Sequence, residues 1–66
     1  MNFEAMEILS EKVAEWMDAN IDGANDVDWI DLVDFARDSI DENPHNHSLK
    51  FLGVITWNKI QKANEN

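Results

Sequence analysis

The chain has no cysteine, one proline and two glycines among its 66 residues, and only five basic side chains against 14 acidic ones. Without cysteine there is neither a disulfide framework nor a thiolate metal site, so packing must hold the fold. No apolar stretch approaches the roughly 20 residues of a transmembrane span. The opening Asn2-Phe3-Glu4 has no basic region leading into an apolar run, so no signal peptide is expected, and the expected location is cytoplasmic. The shortage of Lys and Arg excludes a phosphate-attracting surface. At a formal net charge of -9, direct binding to DNA, RNA or anionic membrane is not expected. Also missing are a nucleophile–base pair, a phosphate loop and a dinucleotide turn. Paired carboxylates can do acid–base work only in a pocket that excludes water. A chain this short rarely encloses one, so neither an enzymatic activity nor a cofactor is expected.

What is present suits one small globular domain over residues 1–66. Hydrophobic residues make up 44%, with Trp16, Trp29 and Trp57 expected to supply large buried areas. A domain of this size buries only about 60% of its unfolded surface, so its core is thin.

Periodicity predicts helices over about 2–19, 27–42 and 49–63. The fold class expected is all-α: a small three-helix bundle with short loops and roughly antiparallel neighbours. In the first helix Met6, Leu9, Val13, Trp16 and Met17 share one side. A turn rich in Gly, Asn and Asp covers residues 20–26, with Asp26 as the expected N-cap of the second helix. There, Trp29, Val33, Ala36 and Ile40 form the expected core stripe, flanked by Leu32 and Ile30. Asn43-Pro44 ends that helix, because a residue before proline avoids the helical region. Ser48 is the expected cap of the third, whose stripe is Leu49, Leu52, Ile55, Thr56 and Ile60. The alternation Leu49, Phe51, Gly53, Ile55, Trp57 would also suit a strand, and Gly53 weakens a helix by about 1 kcal/mol. A lone strand would lack a partner, which favours the helix.

The charge is arranged in two ladders. Glu4, Glu7, Glu11, Glu15 and Asp18 follow steps of 3, 4, 4 and 3; Asp28, Asp31, Asp34, Asp38 and Asp41 follow steps of 3, 3, 4 and 3. Such steps keep the members of each ladder on one helix face, with neighbours about 4.5–6 Å apart along the axis. Like charges at that spacing cost about 0.2–0.5 kcal/mol per pair. A solvated helix face is commonly polar, but it usually mixes signs; here residues 1–48 set 13 acidic side chains against Lys12 and Arg37 alone. Residues 49–66 carry Lys50, Lys59 and Lys62 against Glu65. Two ladders side by side approach one charge per about 2.5 Å, where duplex DNA has one per about 1.7 Å.

The function expected from this pattern is a non-enzymatic inhibitor or regulator. It would bind a basic, nucleic-acid-handling host protein through the ladders, as a nucleic-acid mimic. In charge and size, though not in sequence, the chain resembles the small acidic proteins with which phages and mobile elements block host DNA-binding enzymes. Glu4, Glu7, Glu11, Glu15, Asp28, Asp31, Asp34, Asp38 and Asp41 would stand in for phosphates. Ile8 and Phe35, apolar residues that fall among the carboxylates on a helical wheel, would act as anchors.

A second possibility is a structural or interaction module whose acidity serves only solubility. It would dimerise through Phe51, Val54 and Trp57, which spread apolar surface around the third helix. A third is a divalent-cation binder over residues 18–31, because Asp18, Asn20, Asp22 and Gly23 match the opening of an EF-hand loop. That match fails at its end, where Asn25 and Trp29 replace the apolar residue and the bidentate Glu. His45 and His47, preceded by Asp41 and Glu42, lack a third well-placed ligand for zinc or nickel. No metal is therefore expected.

Overall fold

A computed structural model describes residues 2–65. They form an all-α bundle of three helices: α1 (Phe3–Asn20), α2 (Trp29–Glu42) and α3 (Leu49–Ala63), with a short 3-10 turn over Ala24–Asp26 between the first two. Residues 49–57 are helical, so the strand alternative is excluded.

Each helix begins on a side-chain cap that takes up one of its free N–H groups. The oxygens of Asn2, Asp28 and Ser48 accept from the backbone N–H of Ala5, Ile30 and Phe51 at 2.7, 2.9 and 3.2 Å. Ser48 is thus the expected cap, but Asp26 is not. The buried Ala24 holds residues 24–26 in their own turn, Val27 N–H closes that turn on Ala24 O, and α2 starts only after Asp28. Gly23, at φ 91°, supplies the left-handed backbone that reverses the chain ahead of it. Both α1 and α2 finish on an asparagine. The side-chain amides of Asn20 and Asn43 donate back to the carbonyls of Trp16 and Ser39, each at 2.9 Å, at the C-terminal ends of these helices.

The core is built from medium-sized aliphatic side chains. Val13, Ala14 and Met17 come from α1, Leu32, Ala36 and Ile40 from α2, Leu52 and Ile60 from α3, all at most 2% exposed. The stripe expected for α2 therefore needs correcting: Leu32 is in the core, whereas Trp29 is 43% exposed and Ile30 66% exposed. Trp29 is the first residue of α2, where no further turn of the helix exists to cover it. None of the three tryptophans is fully buried; Trp16 and Trp57 are half-buried against the core. A bundle this thin has no interior wide enough for an indole.

Trp16 packs where α3 carries Gly53. A methyl group at that position would stand 2.7 Å from the Trp16 Cζ3 atom, closer than real contacts allow. The residue that weakens α3 by propensity thus lets α1 approach it. Between α2 and α3 the core is bridged by a polar contact, with Thr56 Oγ1 donating to Ser39 Oγ at 2.8 Å and Ser39 Oγ to the Phe35 carbonyl at 3.1 Å. An antiparallel hairpin would set the last turn of α2 against the first turn of α3. Instead Ser39 meets the middle of α3 at Thr56, and Glu42 meets Lys59 at 2.6 Å. The last turn of α2 therefore lies against the middle of α3.

Candidate functional site

On helix α1 the side chains that point away from Val13 and Met17 are those of the first ladder; on α2 the second ladder lies opposite Leu32 and Ala36. Burial of the apolar stripe thus forces the carboxylates outward. Glu4, Glu11, Glu15 and Asp18 are exposed, as are Asp28, Asp31, Asp34, Asp38 and Asp41; Glu7 alone is half-buried. Asp28 precedes α2 and spends one oxygen on its cap, so the helical part of the second ladder runs from Asp31 to Asp41.

Part of each ladder meets in one place. A shallow groove of about 210 Å³ between α1 and α2 is lined by Glu7, Glu11, Asp34, Arg37, Trp29, Ile30 and Val33. Arg37 stands between the two helices, with Nη2 4.0 Å from Glu7 Oε1 and Nη1 3.7 Å from Asp34 Oδ1. Both separations exceed a hydrogen bond, and all three side chains are partly exposed, so these pairs add little stability. Glu7 and Asp34 are the ladder members with a cation within reach; the other eight have none among the described residues.

The two expected apolar anchors part company. Ile8 is 47% exposed, in keeping with its place among the carboxylates. Phe35 is half-buried and packs against the core cluster, so much of its ring is already committed to the bundle. Its backbone carbonyl accepts from the Ser39 hydroxyl, which in turn accepts from Thr56 of α3. The groove instead carries Trp29, Ile30 and Val33, which the ladders alone did not bring forward. Their signal was in the spacing: Ile30, Asp34 and Arg37 fall four and three residues apart, on one side of α2.

On α3, Phe51 and Val54 are 41% and 43% exposed and border an outer apolar face with Lys50 and Ile55. Trp57 is different. It is half-buried and reaches over the turn, where a methyl group at Gly23 would lie 3.7 Å from its Cη2. A second, wider depression of about 480 Å³ runs from Glu42 and Asn43 along Phe51, Ile55, Asn58, Lys59 and Lys62.

The EF-hand opening is not realised as a loop. Asp18 and Asn20 lie within α1, the Asn20 amide is bonded to the Trp16 carbonyl, and only Asp22 and Gly23 belong to the turn. His45 and His47 are exposed on the α2–α3 connection. Among the described residues no three potential ligands gather around a point, and no helix is long and apolar enough to cross a membrane. Comparison with protein-family models, with curated proteins and with solved structures finds no match.

Proposed function

We propose that this chain is a small acidic, non-enzymatic protein that binds a basic, nucleic-acid-handling protein and inhibits or regulates it. Its carboxylates would occupy positions that phosphates otherwise take. The observation that carries the proposal is the eight ladder carboxylates left without a cationic partner among the described residues. Asp28 caps α2, but the other seven make no ion pair within the described bundle. Repulsion along the ladders costs on the order of 2–4 kcal/mol, a large share of the stability of so small a domain. A complementary cationic surface turns that cost into attraction and speeds encounter. The likeness in charge and size to phage and mobile-element inhibitors points the same way, as an analogy only.

The test is retention of proteins from a nuclease-treated lysate on the immobilised chain, at low and at high salt. Basic nucleic-acid-binding proteins should be retained, released as salt rises, and lost when Asp31, Asp34 and Asp38 are changed together to Asn. The same triple variant should melt at an unchanged or slightly higher temperature, because it removes repelling charges. Retention indifferent to the three substitutions would leave the ladders as solvated surface. A second reading, a self-associating interaction module, is favoured by the exposure of Phe51 and Val54 on the outer face of α3.

A further inference from the structure

A surface that only imitated phosphates would have no use for exposed apolar side chains, yet the α1–α2 groove holds them. Ile30 is 66% and Trp29 43% exposed there, beside Glu7, Glu11 and Asp34. Exposed apolar area bordered by charge is the composition of a contact surface, with an apolar centre and a polar rim. The rim is anionic, so the complementary ligand is cationic. Arg37 illustrates the fit, since its guanidinium already stands between a carboxylate of each helix. It makes a hydrogen bond to neither, so both carboxylates remain available to a stronger partner.

The groove also restricts the backbone of its ligand. Its two walls are helices, and neither presents the open edge of a strand. An extended peptide would find no free edge against which to pair its own backbone. A helix arrives with its backbone bonds already made. From Ile30 to Arg37 the wall spans about two turns, or roughly 10 Å, which matches side chains spaced i, i+3, i+4 and i+7 on an incoming helix. We infer that the α1–α2 groove receives a cationic amphipathic helix of the partner, with arginine or lysine on Glu7, Glu11 and Asp34 and an apolar side chain on Trp29 and Ile30. The inference rests on the proposed binding of a basic protein and names the element of that protein which is bound.

Two synthetic helical peptides of equal positive charge separate the possibilities. One carries leucine and tryptophan at i, i+3, i+4 and i+7 beside its arginines; in the other those positions are glutamine. Binding of each to the full chain is measured by fluorescence anisotropy, and the contacted residues by backbone amide shifts. The amphipathic peptide should bind at least about tenfold tighter, as the burial of one or two apolar side chains implies. Shifts should concentrate at 7–11 and 29–37. Ile30→Ser should remove that preference, and the exposure of Ile30 makes its fold insensitive to the change. Glu7→Gln with Asp34→Asn should weaken both peptides. Equal binding of the two peptides, unaltered by Ile30→Ser, would overturn the amphipathic-helix inference while leaving the ladders as a binding surface for positive charge. Failure of both peptides to bind at low salt would overturn the inference and the proposed function together.

Discussion

The six-membered ring of Trp16 fills the space that a side chain at Gly53 would need: a methyl group there would stand 2.7 Å from Cζ3 and nearer still to Cε3. Gly53 is buried and sits in the middle of a helix, where glycine is ordinarily a defect. Here it sets how closely α1 and α3 approach, and through that the position of α1's outward-facing ladder.

Gly53→Ala should accordingly destabilise. By helix propensity alone the change would stabilise by about 1 kcal/mol, but overpacking typically costs about 1–3 kcal/mol. The urea midpoint should fall, and Trp16→Leu should relieve the penalty when the two are combined. A rise in the midpoint for Gly53→Ala alone would show that the indole can move aside.

The start of α2 offers a cleaner choice between two aspartates. Asp28→Ala removes the oxygen that accepts from Ile30 N–H and should cost about 1 kcal/mol. Asp26→Ala, in the 3-10 turn, should change thermal stability by no more than about 0.5 kcal/mol. Asp28→Asn keeps a capping oxygen while removing the charge, so it should retain most of the stability.

Ser39 and Thr56 are both fully buried and depend on one another. Ser39→Ala leaves the Thr56 hydroxyl without its partner, at a cost of about 1–3 kcal/mol. Thr56→Val leaves Ser39 still donating to the Phe35 carbonyl and should cost less. The double variant should be less destabilised than the sum of the two, because the orphaned hydroxyl is gone. Additive values in chemical denaturation would mean that the contact is not made in solution.

Self-association through α3 is tested by sedimentation equilibrium at micromolar concentration. If Phe51 and Val54 form a contact, the mass should rise above 7.6 kDa with concentration, and Phe51→Asp with Val54→Asp should return it to the monomer. Trp57 belongs less to this face than its spacing implies, since its ring already packs against the core. Trp57→Ala should therefore lower the melting temperature as well as any self-association. A constant mass at every concentration would remove the second functional reading.

Much of the fold was legible in the amino-acid order because it depends on local rules. Periodic apolar residues, an Asn-Pro stop and a serine before the third helix act within a few residues of themselves, and they place the helices to within about two positions. The outward direction of the ladders follows from the same periodicity, since a helix that buries one side must expose the other. What the order could not settle is how the helices lean on each other. Both Asp26 and Asp28 are chemically competent caps, and the burial of Ala24, a tertiary event, decided between them. Trp29 and Leu32 are equally apolar, and whether either is covered depends on where the neighbouring helix ends. Gly53 reads as a weakness until the Trp16 ring is set against it, and Ser39 and Thr56 read as ordinary polar residues until α3 packs against α2. The charge of this protein is thus a property of its sequence. The groove that gathers Glu7, Glu11 and Asp34 around Trp29 and Ile30 exists only once packing has set two helices side by side, because no spacing rule reaches across 20 residues of chain.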